Sequence, residues 1–206
     1  LIARQLNLAT GEVTWHSAEI GQALHYDAKV LKSIYGPSWQ LVIIGAGQIS
    51  HYLSEFALTL GYQIIVCDPR QEYAATWKIE GTQLDHRMPD DAVRALVLDK
   101  RSAVVALTHD PKLDDLALLE ALNLPAFYVG ALGSKKNNEK RRNRLTKLGI
   151  SEQALTRLHA PVGLPIGSHT PPEIALAILA EMTAVRNGIS ITQPVALGCV
   201  ESIPLT

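Results

Sequence analysis

A short apolar run that leads directly into a glycine turn constrains this chain more than any other feature. The run is Leu41–Ile44, and Gly45-Ala46-Gly47 connects it to a helical pattern over residues 48–60 that ends at Gly61. Consecutive apolar residues are typical of a strand that is buried on both faces, as in a parallel sheet. The next parallel strand needs a crossover connection, which the predicted helix supplies.

Strands and helices continue to alternate after this unit. The pattern predicts strands at residues 62–67, 103–108, 126–129 and 157–160, with helices at residues 112–122, 135–148 and 171–187. This alternation predicts an α/β protein with a Rossmann-like, doubly wound and mostly parallel sheet.

The two ends of the chain have different patterns. We expect residues 1–36 to form a small N-terminal appendage, the remnant of a preceding domain or a link to one, with a hairpin around Ala9–Glu12 and a weak helix over residues 19–34. Residues 37–188 would form the cofactor-binding domain. Residues 189–206 fit either an edge strand or an arm onto a partner subunit. Because the chain starts at Leu1, we expect a fragment or a chain without its first residues.

Composition excludes several functional classes. The 206 residues carry a net charge of −1 and are 47% hydrophobic, so no global field attracts nucleic acid or an acidic membrane. The apolar runs are too short to span a bilayer, and no signal peptide is visible. Cys67 and Cys199 form neither a metal motif nor a disulfide framework. We expect a soluble, cytoplasmic protein that binds neither nucleic acid nor membrane.

The glycine turn lies where a dinucleotide-binding turn must lie, between a strand and a helix. Gly45 would permit the tight turn, and Gly47 would let backbone amides approach a pyrophosphate at the helix N-terminus. Ser50 replaces the third glycine of the usual pattern, which weakens the match. The alternative is a turn without a ligand. The predicted cofactor contacts of this segment are Gly45, Ala46, Gly47, Gln48 and Ile49.

An acidic residue follows the second strand at the spacing expected for ribose binding. Asp68 comes 23 residues after Gly45. Its carboxylate would accept from a ribose hydroxyl and would repel the 2′-phosphate of NADP, although Arg70 could reduce that repulsion. Asp68 could equally cap a loop.

Three later segments also fall at the ends of predicted strands, where α/β sheets bind ligands. Thr108, His109 and Asp110 follow one strand and are predicted cofactor contacts. His109, Asp110 and Asp114 could bind a metal or transfer protons, but Asp110-Pro111 is also an ordinary helix start. Gly133 and Ser134 form a second possible anion-binding turn before six basic residues, which could equally be a solvated face. The third segment holds Gly163 and Gly167, whose amides could face a ligand, and precedes a helix with a Thr170–Glu173 capping box.

Five of these segments, in this order, closely resemble the C-terminal Rossmann domain of the XdhC/CoxI family of xanthine dehydrogenase accessory proteins. The resemblance covers about residues 38–188. It is carried by Leu41–Gly47, Val66–Arg70, Leu107–Asp110, Tyr128–Ser134 and Ile166–Ala175.

The resemblance implies a role in maturing molybdenum hydroxylases. Such proteins are thought to bind the molybdenum cofactor in its molybdopterin form, protect it during sulfuration and deliver it to an apo-enzyme such as xanthine dehydrogenase. A cofactor sulfuration enzyme would be a second partner, and a homodimer is expected. Gly45, Gly47, Asp68 and the Gly133-Ser134 turn would line the cofactor cleft. Family members normally carry a preceding domain with a glycine- and cysteine-containing motif, and only some 36 residues precede the first Rossmann strand here.

Two alternatives remain open from the sequence. The first is an NAD-dependent oxidoreductase acting on a small metabolite, with NAD or NADP as its cofactor. The second is a nucleotide-sensing module without turnover. Nothing in the sequence nominates a catalytic residue or a metal site.

Overall fold

The computed structural model describes residues 2–18, 24–35, 39–96 and 98–189. Contacts divide the chain into two compact units, residues 1–38 and 39–206. The predicted boundary at residues 36–37 falls among residues that are not described and stays a prediction. The predicted C-terminal arm, residues 189–206, lies outside the described residues except for Ile189.

The N-terminal unit is a four-stranded antiparallel sheet of order β2-β1-β4-β3. Its strands are β1 (Ile2–Asn7), β2 (Val13–Ser17), β3 (His25–Tyr26) and β4 (Val30–Tyr35). The predicted hairpin is present as β1 and β2. The helix predicted over residues 19–34 is wrong in the described part of that range, residues 24–34. Asp27 Oδ1 accepts from the amides of Lys29 and Val30 in a turn, and β4 then pairs along β1. Strand pairing outweighs a weak helix propensity here.

The second unit contains a six-stranded parallel sheet of order β10-β9-β8-β5-β6-β7. The strands are β5 (Gln40–Ile44), β6 (Gln63–Cys67), β7 (Thr82–Asp85), β8 (Ser102–Ala106), β9 (Tyr128–Ala131) and β10 (Leu158–His159). When β5 to β10 are numbered 1 to 6 in chain order and the sheet is read from β7 to β10, the strand order is 3-2-1-4-5-6, which is the Rossmann order. The predicted fold class is confirmed. The strand order reverses between β5 and β8, where such sheets bind their ligands.

Seven helices of the described residues cover the two faces of this sheet. They are α1 (Gln48–Thr59), α2 (Gln71–Ala74), α3 (Pro89–Ala95), α4 (Pro111–Ala121), α5 (Lys135–Lys147), α6 (Glu152–Leu155) and α7 (Pro171–Arg186). Leu41 and Ile43 of β5 face α1 and α7, whereas Val42 and Ile44 face the opposite core. The four long helices match their predictions. Four short elements, β7, α2, α3 and α6, were not predicted from the sequence pattern.

Helix α7 packs on α1. It starts with the predicted capping box, in which Glu173 Oε2 accepts from the Thr170 amide at 2.8 Å. Ile178 and Met182 are fully buried, whereas Leu176 on the outer face is 54% exposed. Within the described residues, no helix combines the length and apolar character that a membrane crossing requires.

Candidate functional site

The glycine turn lies at the point where the strand order reverses. Gly45 has a φ of +105°, and a Cβ at this position would lie 3.0 Å from both the backbone N and Cα of Thr108. Thr108 follows β8, so the turn after β5 is pressed against the end of the neighbouring strand. Only glycine fits both the backbone conformation and this close approach.

Gly47 is a glycine for which the fold gives no reason. Its φ is −90°, and a Cβ there would meet no atom within 4 Å. It precedes α1, which has no side-chain cap, whereas Asp110 caps α4 and Ser134 caps α5. The first three amides of an α-helix have no carbonyl partner within the helix. At α1 these are the amides of residues 48–50. Gln48 and Ile49 are not buried, so their amides are available to an anionic ligand, whereas Ser50 is fully buried.

A cleft of about 390 Å³ opens beside this turn. We call it the turn cleft. The Trp77 ring is held in place because its Nε1 donates to Thr82 Oγ1 at 2.8 Å, and the His51 ring centroid lies 6.1 Å from it. These aromatic residues were not among the predicted site residues, although His51 and Tyr52 lie one turn after Gln48 on α1. The cleft is lined by Ala46, Gly47, Gln48, His51, Tyr52, Thr76, Trp77, Pro171 and Pro172.

Asp68 is fully buried and directed into the protein. Its Oδ2 accepts from the Ala46 amide and from an Arg70 Nη, each at 2.8 Å, and its Oδ1 accepts from the Arg70 amide and Nε. These four bonds fill the acceptor capacity of a carboxylate. Asp68 therefore braces the glycine turn. Its binding of a ribose stays a prediction and would require Arg70 to move.

The pKa of Asp68 connects this bracing to stability. Burial alone would raise the pKa, but hydrogen bonds from Arg70 and from the Ala46 amide lower it below the usual value. A lowered folded-state pKa stabilises the protein above the unfolded-state value of about 4, and this stability is lost as the pH falls further. We expect Asp68→Asn to lower the free energy of unfolding by about 2 kcal/mol at neutral pH and by progressively less below about pH 4.

Urea unfolding at a series of pH values measures this difference. Asp85→Asn is a matched control, because Asp85 pairs with Arg87 in the same Asp-x-Arg arrangement but the Arg87 side chain is 51% exposed. A smaller loss is expected for the control, since solvent screens an exposed pair. Equal losses in the two variants, or an Asp68→Asn loss that is independent of pH, would contradict the bracing role.

The segment after β8 forms the start of α4. Asp110 Oδ1 accepts from the Lys112 amide, as an N-cap, and Thr108 Oγ1 donates to the buried Asp114 at 2.7 Å. His109 is exposed and has a φ of +61°. Among the described residues, no group of three histidine, cysteine or acidic side chains could hold a metal. Cofactor contacts by Thr108, His109 and Asp110 stay predictions.

The basic run after β9 divides into two classes. Arg141 is buried and pairs with Asp114 and Asp115; Arg142 donates to two backbone carbonyls, and Arg144 pairs with Asp115. These three arginines are therefore structural. Lys135 and Lys136 are exposed next to the turn of Gly133 and Ser134, and Ser134 Oγ caps α5 by accepting from the Asn137 amide at 3.2 Å. Anion binding at this turn stays a prediction.

A second cleft, of about 490 Å³, lies between α7 and the loop before it. We call it the α7 cleft. Glu181 on its inner wall accepts from the Tyr128 hydroxyl at 2.5 Å and from the Gly163 amide at 2.8 Å, and His159 Nδ1 lies 3.2 Å from its other oxygen. Gly163 and Gly167 of this cleft were predicted as possible ligand contacts, but Tyr128, His159 and Glu181 were not. Its lining residues are Leu132, Lys135, Pro161, Val162, Gly163, Leu164, Pro165, Gly167, Ser168, Ile174, Ala177 and Glu181.

Comparison with known families identifies the domain that carries this site. Residues 41–182 match the family model of the XdhC Rossmann domain. The chain belongs to the XdhC family. The match starts in β5 and ends in α7, so it contains the glycine turn and both clefts. The predicted family is confirmed.

Individual relatives agree with this assignment. The chain is 33% identical over 160 residues to the uncharacterized protein YqeB of Escherichia coli (strain K12), covering 77% of this chain and 29% of YqeB. It is 27% identical over 156 residues to a probable xanthine dehydrogenase subunit of Bacillus subtilis (strain 168), covering 75% and 45%. It is 36% identical over 89 residues to the molybdenum cofactor insertion chaperone PaoD of Escherichia coli (strain K12), covering 43% and 28%.

The chain spans less than half the length of each of these three curated relatives. Among solved structures, it resembles a xanthine dehydrogenase from Bacillus halodurans with a TM-score of 0.70 at 24% identity, covering 91% of this chain and 60% of that one. At this level of identity, the likeness shows the fold alone.

Proposed function

We propose that this chain binds the molybdenum cofactor, in its molybdopterin form, and delivers it to a molybdenum hydroxylase such as xanthine dehydrogenase. Membership of the XdhC family supports the proposal, as do the names of two relatives, a molybdenum cofactor insertion chaperone and a probable xanthine dehydrogenase subunit. The chain would then be an accessory protein, and the cofactor would be its cargo.

The uncapped start of α1 at Gly47 is the observation that carries the binding step. A fold alone would favour serine, threonine, aspartate or asparagine at such a position, because each caps the helix. Gly47 instead leaves the amides of α1 open beside a cleft with aromatic walls. A phosphorylated pterin offers a phosphate for these amides and a planar ring for one of the two clefts at this edge of the sheet. Gly45, Ala46, Gln48 and Ile49 would complete the phosphate site.

Finer parts of the proposal rest on the family resemblance. The chain would act in the cytoplasm as a homodimer, and a cofactor sulfuration enzyme would be a second partner. The Gly133-Ser134 turn and the Thr108–Asp110 segment would contribute to the same cofactor site. An NAD-dependent oxidoreductase has less support, because the Asp68 carboxylate that a ribose would need is occupied by Arg70 and Ala46.

Purification from a host that makes the molybdenum cofactor tests the proposal. The protein is denatured and oxidised, and the released pterin is measured by its fluorescence. We expect pterin in the wild type and about five- to thirtyfold less in Gly47→Val, since the valine side chain would cover amides whose interaction with an anion is worth about 1–2 kcal/mol. Gly47 has a negative φ and free space around it, so the variant should fold.

Thr59→Val is the matched control, because it places the same side chain at an exposed position in the last turn of α1, about three turns from the glycine turn. It should retain the wild-type amount of pterin. The untreated protein, still carrying its cofactor, should also activate an apo-hydroxylase. Recovery of NAD without pterin would favour the oxidoreductase. Equal amounts of pterin in Gly47→Val and wild type would show that the cofactor does not bind at the glycine turn.

A further inference from the structure

The α7 cleft combines apolar walls with one charged group inside and one at its mouth. Leu132, Val162 and Ile174 contribute to the walls. The Glu181 side chain is 16% exposed, whereas Lys135 is exposed at the first position of α5. A cation in the first turn opposes the helix dipole, so helix stability does not account for Lys135. The cleft thus has a negative inner wall and a positive mouth.

Glu181 is held rigidly in its ionised form. Burial alone would raise its pKa, but hydrogen bonds involving His159, Tyr128 and the Gly163 amide lower it below the usual value. Three donors come from three separate elements, namely β9, β10 and the loop before α7. Oε2 accepts two of these bonds and Oε1 accepts one. A carboxylate oxygen accepts about two, so Oε1 retains one acceptor position for a ligand.

This arrangement restricts the chemistry of an occupant. A carboxylic acid would be repelled by Glu181, and a purely apolar ring would leave the carboxylate desolvated without a new partner. A free ammonium ligand would meet the positive mouth at Lys135. The cleft fits a neutral, planar ring with an N–H donor at one edge and an anionic substituent at the other.

We propose that the α7 cleft binds the 2-aminopyrimidin-4-one ring of a pterin, whose amino group donates to Glu181 while an anionic substituent of the ring faces Lys135. The choice of a pterin among such rings rests on the proposed function. Leu132 follows β9, which is separated from β5 by β8 alone. Two strand spacings are about 10 Å, so the α7 cleft and the glycine turn lie close enough to serve one ligand.

Two fluorescent probes test the proposal on the wild-type protein without any variant. Pterin-6-carboxylate carries the 2-amino donor, and lumazine-6-carboxylate has a carbonyl acceptor in its place. We expect pterin-6-carboxylate to bind at least about tenfold more tightly, since the carbonyl would turn a charge-assisted hydrogen bond into a repulsion. Equal affinity for the two probes, or no binding of pterin-6-carboxylate, would overturn the proposal.

Variants then locate the site. Glu181→Gln should weaken pterin-6-carboxylate binding about tenfold and reduce the preference over lumazine-6-carboxylate. Lys135→Glu should weaken binding several-fold, whereas Lys136→Glu, an equally exposed neighbour that does not line the cleft, should leave it unchanged. Wild-type affinity in a folded Glu181→Gln protein, or equal effects of the two lysine variants, would contradict the assignment.

The test separates this proposal from the cargo proposal. Neither probe carries a phosphate, so their binding reports on the α7 cleft and not on the anion site at the glycine turn. Probe binding without any co-purified cofactor would leave the ring site standing and remove the delivery role. Co-purified cofactor without discrimination between the probes would support the cargo proposal and remove the ring site from the α7 cleft.

Discussion

Arg141→Ala is expected to lower the free energy of unfolding by about 3–5 kcal/mol, because it leaves a buried carboxylate without its cation. Arg141 is 5% exposed, and one Nη donates to Asp114 Oδ2 at 3.0 Å while its Nε donates to Asp115 at 3.1 Å. Asp114 is fully buried, so water cannot replace the lost partner.

The loss should also reach the carboxyl edge of the sheet. Asp114 Oδ1 accepts from the amide and the hydroxyl of Thr108, the residue against which Gly45 packs. The other Nη of Arg141 donates to the Leu132 carbonyl, on the wall of the α7 cleft. One guanidinium therefore connects the segments beside both clefts.

Arg144→Ala is the matched control, since Arg144 belongs to the same basic run and also pairs with Asp115. Its side chain is 42% exposed, so we expect a loss of about 1 kcal/mol or less. Urea unfolding followed by circular dichroism measures both variants. Similar losses in the two proteins would refute the idea that burial distinguishes these arginines.

Gly45→Ala is expected to destabilise the protein by about 3 kcal/mol or more, from two independent costs. An alanine at a φ of +105° is strained, and its Cβ would lie 3.0 Å from backbone atoms of Thr108. Backbone of a central strand end cannot move aside without disturbing the sheet, so overpacking adds to the strain.

Gly47→Ala, two residues further on, should cost less than about 1 kcal/mol, because the backbone is extended there and the space is open. Thermal and urea unfolding of both variants test the contrast. A loss of unfolding free energy below about 1 kcal/mol in Gly45→Ala, or equal losses in the two variants, would show that the two glycines do not have separate structural and ligand-binding roles.

The sequence was sufficient to predict the sheet and the glycine turn, because both depend on local patterns. The run at Leu41–Ile44 predicts a buried strand, and glycines followed by a helical pattern predict the turn. Local pattern was misleading at residues 30–35, which pair as β4 with β1. It also gave no signal for β7, a short edge strand that is defined by its pairing with β6.

The roles of the charged residues required the tertiary structure. Arg141 and Arg144 look alike in the sequence, but one is buried against Asp114 and the other is half exposed. Asp68 has the spacing of a ribose-binding residue, yet Arg70 and the Ala46 amide occupy its carboxylate. Burial and hydrogen-bond partners decide such roles, and neither is encoded in spacing.

By itself, the sequence determined the α/β class, the family and the place of the glycine turn, because strand burial, helix periodicity and glycine conformations are properties of neighbouring residues. Only the tertiary structure joined Tyr128, His159 and Glu181, since Tyr128 and Glu181 are 53 positions apart and have no local relation. It also distinguished Gly45, which the fold requires, from Gly47, which the fold does not. The physical reason is that a contact between distant residues depends on how whole elements pack, whereas a turn depends on the backbone conformations that its own residues allow.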